Sequence, residues 1–265
     1  MMNYQPYLEV AETAARSAGN ILRRAFAEGA GARAVSAEAA HDLKLRLDEE
    51  LQSHITAILL AAFPETSLLG EEGDAGAADS SLCWVVDPLD GTVNFFYGLP
   101  IFCVSIALQH AGRTVLGCVY DPMQQECYTA VLGDAPRCNG QIIAVSNRTR
   151  MAEAVVFVGH GTHDGSGAAG LHRFGYISSR VRKMRILGSA ALSLCYIAAG
   201  RMDAYVEDRI SLWDFAAAGF ILEMAGGVLE YTPHEASGRK GAVLAWNGRI
   251  PLKEQLLNST LTSSV

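Results

Sequence analysis

The chain has 265 residues, half of them hydrophobic and 18% charged, with a mean hydropathy of +0.16. This composition excludes a disordered chain, a collagen-like fibre and a small disulfide-held scaffold, and a chain of this length can bury roughly 70–75% of its unfolded surface without help from metal or disulfide. The 21 Lys and Arg against 28 Asp and Glu leave a net charge of −7, which repels phosphate backbones and anionic lipid and argues against nucleic acid and membranes as partners. An anionic substrate would have to be drawn in by bound divalent cations instead.

Leu8, Ala11, Ala15, Ala18, Leu22 and Ala25 recur at helical spacing, which predicts an amphipathic helix over residues 5–27 that stops at Gly29. Residues 29–41 are rich in glycine and small residues without a period and read as a mobile loop. Asp42 to Asp48 alternates like a strand, but Leu47, Leu51, Ile55, Ile58, Leu59 and Ala62 keep a helical period up to Pro64, so a helix is expected from about residue 46. From Leu82 the chain turns to short apolar runs broken by turns, and the three-residue link Ala111-Gly112-Arg113 between two of them implies antiparallel pairing. The second half alternates strands with helices, the latter expected at 167–179, Ser189–Ala199, Leu212–Ala225 and the C-terminus. Layered α/β packing follows, in one continuous body whose halves, 1–146 and 147–265, flank a cleft. Six scattered cysteines without CxxC pairing, an N-terminus with no basic and apolar leader pattern, and no run of 18 apolar residues predict a cytoplasmic protein with free thiols.

The chemistry concentrates in Trp84-Val-Val-Asp87-Pro-Leu-Asp90-Gly-Thr92-Val-Asn94-Phe95. Pro88 lacks the donor that a central ladder needs, so the strand is expected to stop at Asp87, at the end that opens onto a ligand crevice in α/β proteins. A turn through Leu89-Asp90-Gly91 would bring the second carboxylate beside the first, a pairing suited to a hard cation, with the Leu89 carbonyl as a further oxygen. Gly91 and Thr92 can offer backbone N–H groups and a hydroxyl to phosphate. Taken alone, Asp-Pro and Asp-Gly are ordinary turn formers. Glu71 and Glu72 after an apolar run, and Asp214 at the opening of a helix, make the acids a pattern.

On Gly70-Glu71-Glu72, the Asp87–Phe95 string and Trp213-Asp214-Phe215-Ala216-Ala217, in that order, the chain resembles the inositol monophosphatase-like, magnesium-dependent, lithium-sensitive sugar phosphatases over almost its whole length. The resemblance implies a five-layer α-β-α-β-α sandwich, usually a homodimer, and a small phosphate monoester as substrate. It implies two or three Mg²⁺ held by Glu71, Asp87, the Leu89 carbonyl, Asp90 and Asp214, with Asp48, Glu71 and Thr92 handling the attacking water. On the substrate side it implies Asp90, Gly91, Thr92, the turn Gly188-Ser189-Ala190, Glu207 and Asp214, with Glu207 gripping sugar or inositol hydroxyls. The function it implies is hydrolysis of inositol monophosphate or a similar polyol phosphate. Fructose 1,6-bisphosphate, histidinol phosphate and 3′-phosphoadenosine phosphate are the other candidate substrates, and a non-catalytic regulatory homologue is the alternative from another class.

The chain departs from the family in its loop. The usual lysine position reads Ala37, and the following segment is Asp42-Leu-Lys-Leu-Arg-Leu-Asp48, which keeps the two acids but not the family's threonine. His160-Gly-Thr-His163-Asp164 offers three possible zinc ligands, yet lacks a fourth and a helical register, and reads as a solvated loop.

Overall fold

Residues 2–29, 35–39, 42–159 and 174–261 are described in the computed structural model of the chain. Helix α1 (Gln5–Glu28) buries Leu8, Ala11, Ala14, Ala15, Ala18, Leu22 and Ala25, and ends at Gly29, whose φ of 81° suits a residue without a Cβ. Its alanine stripe lets the backbone approach a sheet closely. Gly19 marks the tightest point, where a Cβ would fall 2.4 Å from the Tyr120 ring. Part of the segment expected as a loop is a strand: β1 (Val35–Ala39) pairs antiparallel with β2 (Asp42–Leu45) before α2 (Arg46–Ala62) begins.

An eight-stranded sheet follows. Its members are β3 (Ser67–Gly70), β4 (Ala75–Gly76), β5 (Leu82–Asp90), β6 (Cys103–His110), β7 (Arg113–Asp121), β8 (Glu126–Val131), β9 (Arg137–Cys138) and β10 (Gln141–Ile142). They run in the order β10-β9-β8-β7-β6-β5-β3-β4, antiparallel throughout except that β3 and β5 are parallel. A short helix α3 (Thr92–Tyr97) leaves the end of β5. The β6–β7 link is tighter than expected. His110 pairs with Arg113, so only Ala111 and Gly112 turn, at φ 49° and 77°, the positive values whose twist matches a two-residue hairpin.

The second sheet has the order β12-β11-β13-β15-β14. It contains β11 (Val155–Val158), β12 (Lys183–Arg185), β13 (Ala204–Ser211), β14 (Val228–Pro233) and β15 (Lys240–Trp246). Helices α4 (Ala190–Ala198) and α5 (Leu212–Met224) lie between the two sheets, and α6 (Leu252–Leu261) closes the chain. Because α4 and α5 meet a sheet on either side, they are apolar nearly all round, and their buried faces carry almost no polar side chain.

One hydrophobic cluster runs through this middle layer, joining Val85, Ala107, Val119 and Tyr128 of the first sheet to Leu192, Cys195, Phe215 and Ile221, and these to Phe157, Tyr205 and Val243 of the second. The other face of the first sheet packs Trp84, Val104, Ile106 and Leu108 against α1 and α2. The outer face of the second packs Val156, Ala204 and Val206 against Ile177, Ile250 and Leu252. The protein is therefore a five-layer α-β-α-β-α sandwich, as the family resemblance implied.

Asp203, fully buried, pins the crossing between the sheets. It accepts hydrogen bonds from Ser146 Oγ (2.6 Å), Arg148 Nε (2.7 Å) and Val155 N (2.8 Å), so its charge is well satisfied.

Candidate active site

A cavity of about 300 Å³ opens where β3 and β5 end and where α3, α4 and α5 begin. Glu71, Asp87, Asp90, Asp214 and Glu207 all line it, together with Leu89, Gly91, Thr92, Gly188, Ser189 and Ala190. Among the described residues, no lysine, arginine or histidine does.

Local structure aims these acids. β5 does not stop at Asp87. It continues to Asp90, with Asp87 paired to Ser105 and Asp90 to Cys103, so one extra residue bulges out between them. Pro88 sits in that bulge, where its missing N–H costs no ladder bond, and the bulge turns both carboxylates to the same side. Asp87 Oδ1 accepts from Leu89 N at 2.9 Å, which braces the bulge. Gly91, at φ 99°, follows; a Cβ there would lie 2.8 Å from the Ile101 carbonyl, so only glycine fits the start of α3. Buried Asn94 donates from Nδ2 to the carbonyls of Ile101 (2.9 Å), Leu187 (2.9 Å) and Gly188 (3.2 Å), which ties α3 to the approach of α4.

Glu71 leaves β3 by extending its parallel ladder, its N–H reaching Val86 O at 3.2 Å. The loop it begins is held by buried Gln52 of α2, which accepts from Glu72 N and donates to Gly73 O, both at 2.8 Å. Asp214 is the third residue of α5 and accepts from Ser211 N at 2.9 Å in a reciprocal capping box. Glu207 on β13 is followed by a second bulge, between Glu207 and Ile210.

Ser189 Oγ and the N–H groups of Ala190 and Ala191 donate to Asp90, at 2.5, 3.2 and 2.8 Å, so the start of α4 holds a carboxylate in the cavity wall. Thr92 Oγ1 donates to the Leu89 carbonyl at 2.9 Å. Asp48 is buried in the first turn of α2. Ala37 pairs in register with Lys44 on β1 and β2. The His160–Asp164 motif lies outside the described residues.

The electrostatics follow from burial, with no countercharge among the described residues lining the cavity. Burial, and then repulsion from Glu71, Asp90 and each other's neighbours, holds Asp87 and Asp214 well above the usual carboxylate range. Burial also raises Asp90, although its bonds from Ser189, Ala191 and Ala190 oppose the shift. Glu207 is pushed up to about 7, chiefly by burial. Such a set costs free energy unless protons or a cation neutralise it, and an all-oxygen set is the donor chemistry of Mg²⁺. The acids ring the cavity rather than meeting at a point: among the described residues, no three His, Cys, Asp or Glu side chains already form a ligand shell.

The profile of the inositol monophosphatase family matches residues 3–263. The chain belongs to that family. It is 36% identical over 240 residues to the Nus factor SuhB of Pasteurella multocida, covering 84% of each chain. It is 39% identical over 223 residues to an inositol-1-monophosphatase of Mesorhizobium japonicum, covering 83% of each. Among solved structures, the extragenic suppressor protein SuhB from Bartonella henselae superposes with a TM-score of 0.88 at 32% identity, over 98% of this chain and 100% of that one. The inositol monophosphatase from Anabaena superposes with a TM-score of 0.82 at 29% identity, over 98% and 97%. Sequence reasoning missed Gln52 and Tyr205, and gave Asn94 no role of its own. Gln52 acts through contacts distant in the chain, and Tyr205 reads as one more apolar position of a strand.

Proposed function

We propose that the protein is a Mg²⁺-dependent phosphomonoesterase acting on inositol monophosphate or a similar small polyol phosphate. What carries the reading is the cavity itself: four acids, two of them buried and two half-buried, around one opening that no cationic side chain among the described residues lines, and Glu207, a hydrogen-bond acceptor for neighbouring hydroxyls, on another strand of the same wall.

Glu71, Asp87, Asp90, Asp214 and the Leu89 carbonyl would hold the metal, two or three ions by the resemblance. When bound, Mg²⁺ supplies attraction for the phosphate, a more acidic water and stabilisation of the departing alkoxide. Gly91 and Thr92 face the phosphate at the start of α3. Thr92, whose proton is directed to Leu89 O, presents its oxygen as an acceptor that can orient the attacking water. Asp48 would pair with Thr92 in orienting or deprotonating that water. Asp90, clamped by the start of α4, keeps its carboxylate fixed as the substrate exchanges.

The test is phosphate release from myo-inositol 1-phosphate with and without Mg²⁺, in the wild type and in Asp87→Asn. Asp87 is the better target, because Asp90 also anchors α4. Metal-dependent release that falls at least about a hundredfold in the variant is the expected result. Release from none of myo-inositol 1-phosphate, fructose 1,6-bisphosphate, histidinol phosphate and 3′-phosphoadenosine phosphate would overturn it.

A second reading, a regulatory role with or without catalysis, is favoured by the relatives named Nus factor and by Ala37 at the loop position. Val93, Tyr97, Leu99 and Ile186 leave large apolar groups exposed, which supports a homodimer covering them. The six unbridged cysteines fit a reducing cytoplasm, and no helix among the described residues is long and apolar enough to cross a membrane.

A further inference from the structure

Resting on this reading of the cavity, we infer that Tyr205 and Gly159 are a positioning pair that fixes the Glu207 carboxylate and so sets the preference for substrates with neighbouring hydroxyls. Tyr205 and Glu207 are two residues apart on β13, so they share the face that looks toward the middle layer, and both line the cavity. The Tyr205 ring is only 3% exposed and is packed in the cluster between the sheets, which leaves the phenol little freedom. Its hydroxyl donates to Glu207 Oε2, and among the described residues no other group hydrogen-bonds that carboxylate. The other oxygen is thereby left to accept from a ligand.

Gly159 bounds the carboxylate from a second direction. It follows β11, and its N–H reaches Val206 O at 2.9 Å, which fixes its α-carbon against β13. A Cβ on Gly159 would fall 2.2 Å from Glu207 Oε2 and 2.3 Å from Cδ, so the carboxylate occupies the space that a side chain would fill. Glu207 itself pairs with Val243 of β15, and the register shifts only after it, between Glu207 and Ile210, so the tyrosine and the glycine act on a side chain whose backbone is held in the sheet. The tyrosine also keeps Glu207 an acceptor: burial pushes the acid up to about 7, and the phenol's hydrogen bond opposes that shift.

A group that only receives hydroxyls should matter for substrates that have them. The experiment is steady-state kinetics of full-length Tyr205→Phe and Gly159→Ala with Mg²⁺, on myo-inositol 1-phosphate and on phenyl phosphate, which has no hydroxyl to offer. Both variants are expected to raise KM for the inositol ester about tenfold, with kcat within about twofold and phenyl phosphate kinetics unchanged. Equal losses on both substrates would mark a merely structural role and overturn the inference, as would no change on either. If the wild type hydrolyses neither ester, the phosphatase reading fails, and binding of free myo-inositol in EDTA, followed by saturation-transfer NMR, decides this inference separately. Binding lost in the variants sustains it; no binding to the wild type overturns it.

Discussion

Asp87 shows how one residue can be costly to the fold and necessary to its chemistry. It is 2% exposed and, among the described residues, accepts a hydrogen bond from the Leu89 N–H alone, while Glu71, Asp90 and Asp214 repel it. Its folded pKa is raised above an unfolded value of about 3.9, so the protonated form is favoured by folding. The stability this gives is fully present below about pH 4 and is lost as pH rises through the folded value. Metal-free wild type should therefore melt at progressively lower temperature as pH is raised from about 5 to 8. Asp87→Asn keeps an oxygen to accept from Leu89 N but carries no charge. Its metal-free melting temperature at pH 8 should exceed that of the wild type by a few degrees, about 1–2 kcal/mol, and should vary less with pH. Differential scanning calorimetry in EDTA checks this, and a variant less stable than wild type at pH 8 would show that the acids are already neutralised without metal.

At the scale of elements, closeness of approach is set by glycine and alanine. On β7, Gly117 faces α5 so closely that a Cβ would lie 2.4 Å from the Ala217 carbonyl, a backbone atom that cannot rotate away. Gly117→Ala should force α5 off the sheet and cost roughly 1–3 kcal/mol, read as a lower urea midpoint with an unchanged slope. Because α5 carries Asp214 in its first turn, the same variant should lose activity at temperatures where it is still folded. Helices such as α1 and α5 are legible in the sequence because burial on one or all sides imposes a period or its absence over many residues. The bulge of β5 is not. Pro88 announces the end of a strand, and only the pairing partner on β6 decides that the strand resumes. β1 escapes detection for the same reason: its small residues carry no burial signal, and its order comes from pairing with β2.

At the scale of the molecule, the cavity joins both sheets through the helices between them. The acids of Glu71, Asp87, Asp90 and Asp214 are legible because each sits in a short local string. The clamp of Ser189 on Asp90, 99 residues away, and the seat of Glu207 on Gly159 exist only once the layers have stacked. Ligands for a cation come from β3, β5 and the start of α5, and one hydrophobic cluster runs from the first sheet through α4 and α5 to the second. Binding in the cavity should therefore stabilise the whole body as one unit. At a hundredfold excess over its dissociation constant, Mg²⁺ should add about 2.7 kcal/mol, which for a chain of this size is a rise of roughly 5–10 °C in a single calorimetric transition. Asp87→Asn should lose most of that rise, since the ion then finds one charge fewer and the protein less repulsion to relieve. Two transitions, of which Mg²⁺ moves only one, would mean that the sheets melt separately and that the shared helices do not couple them.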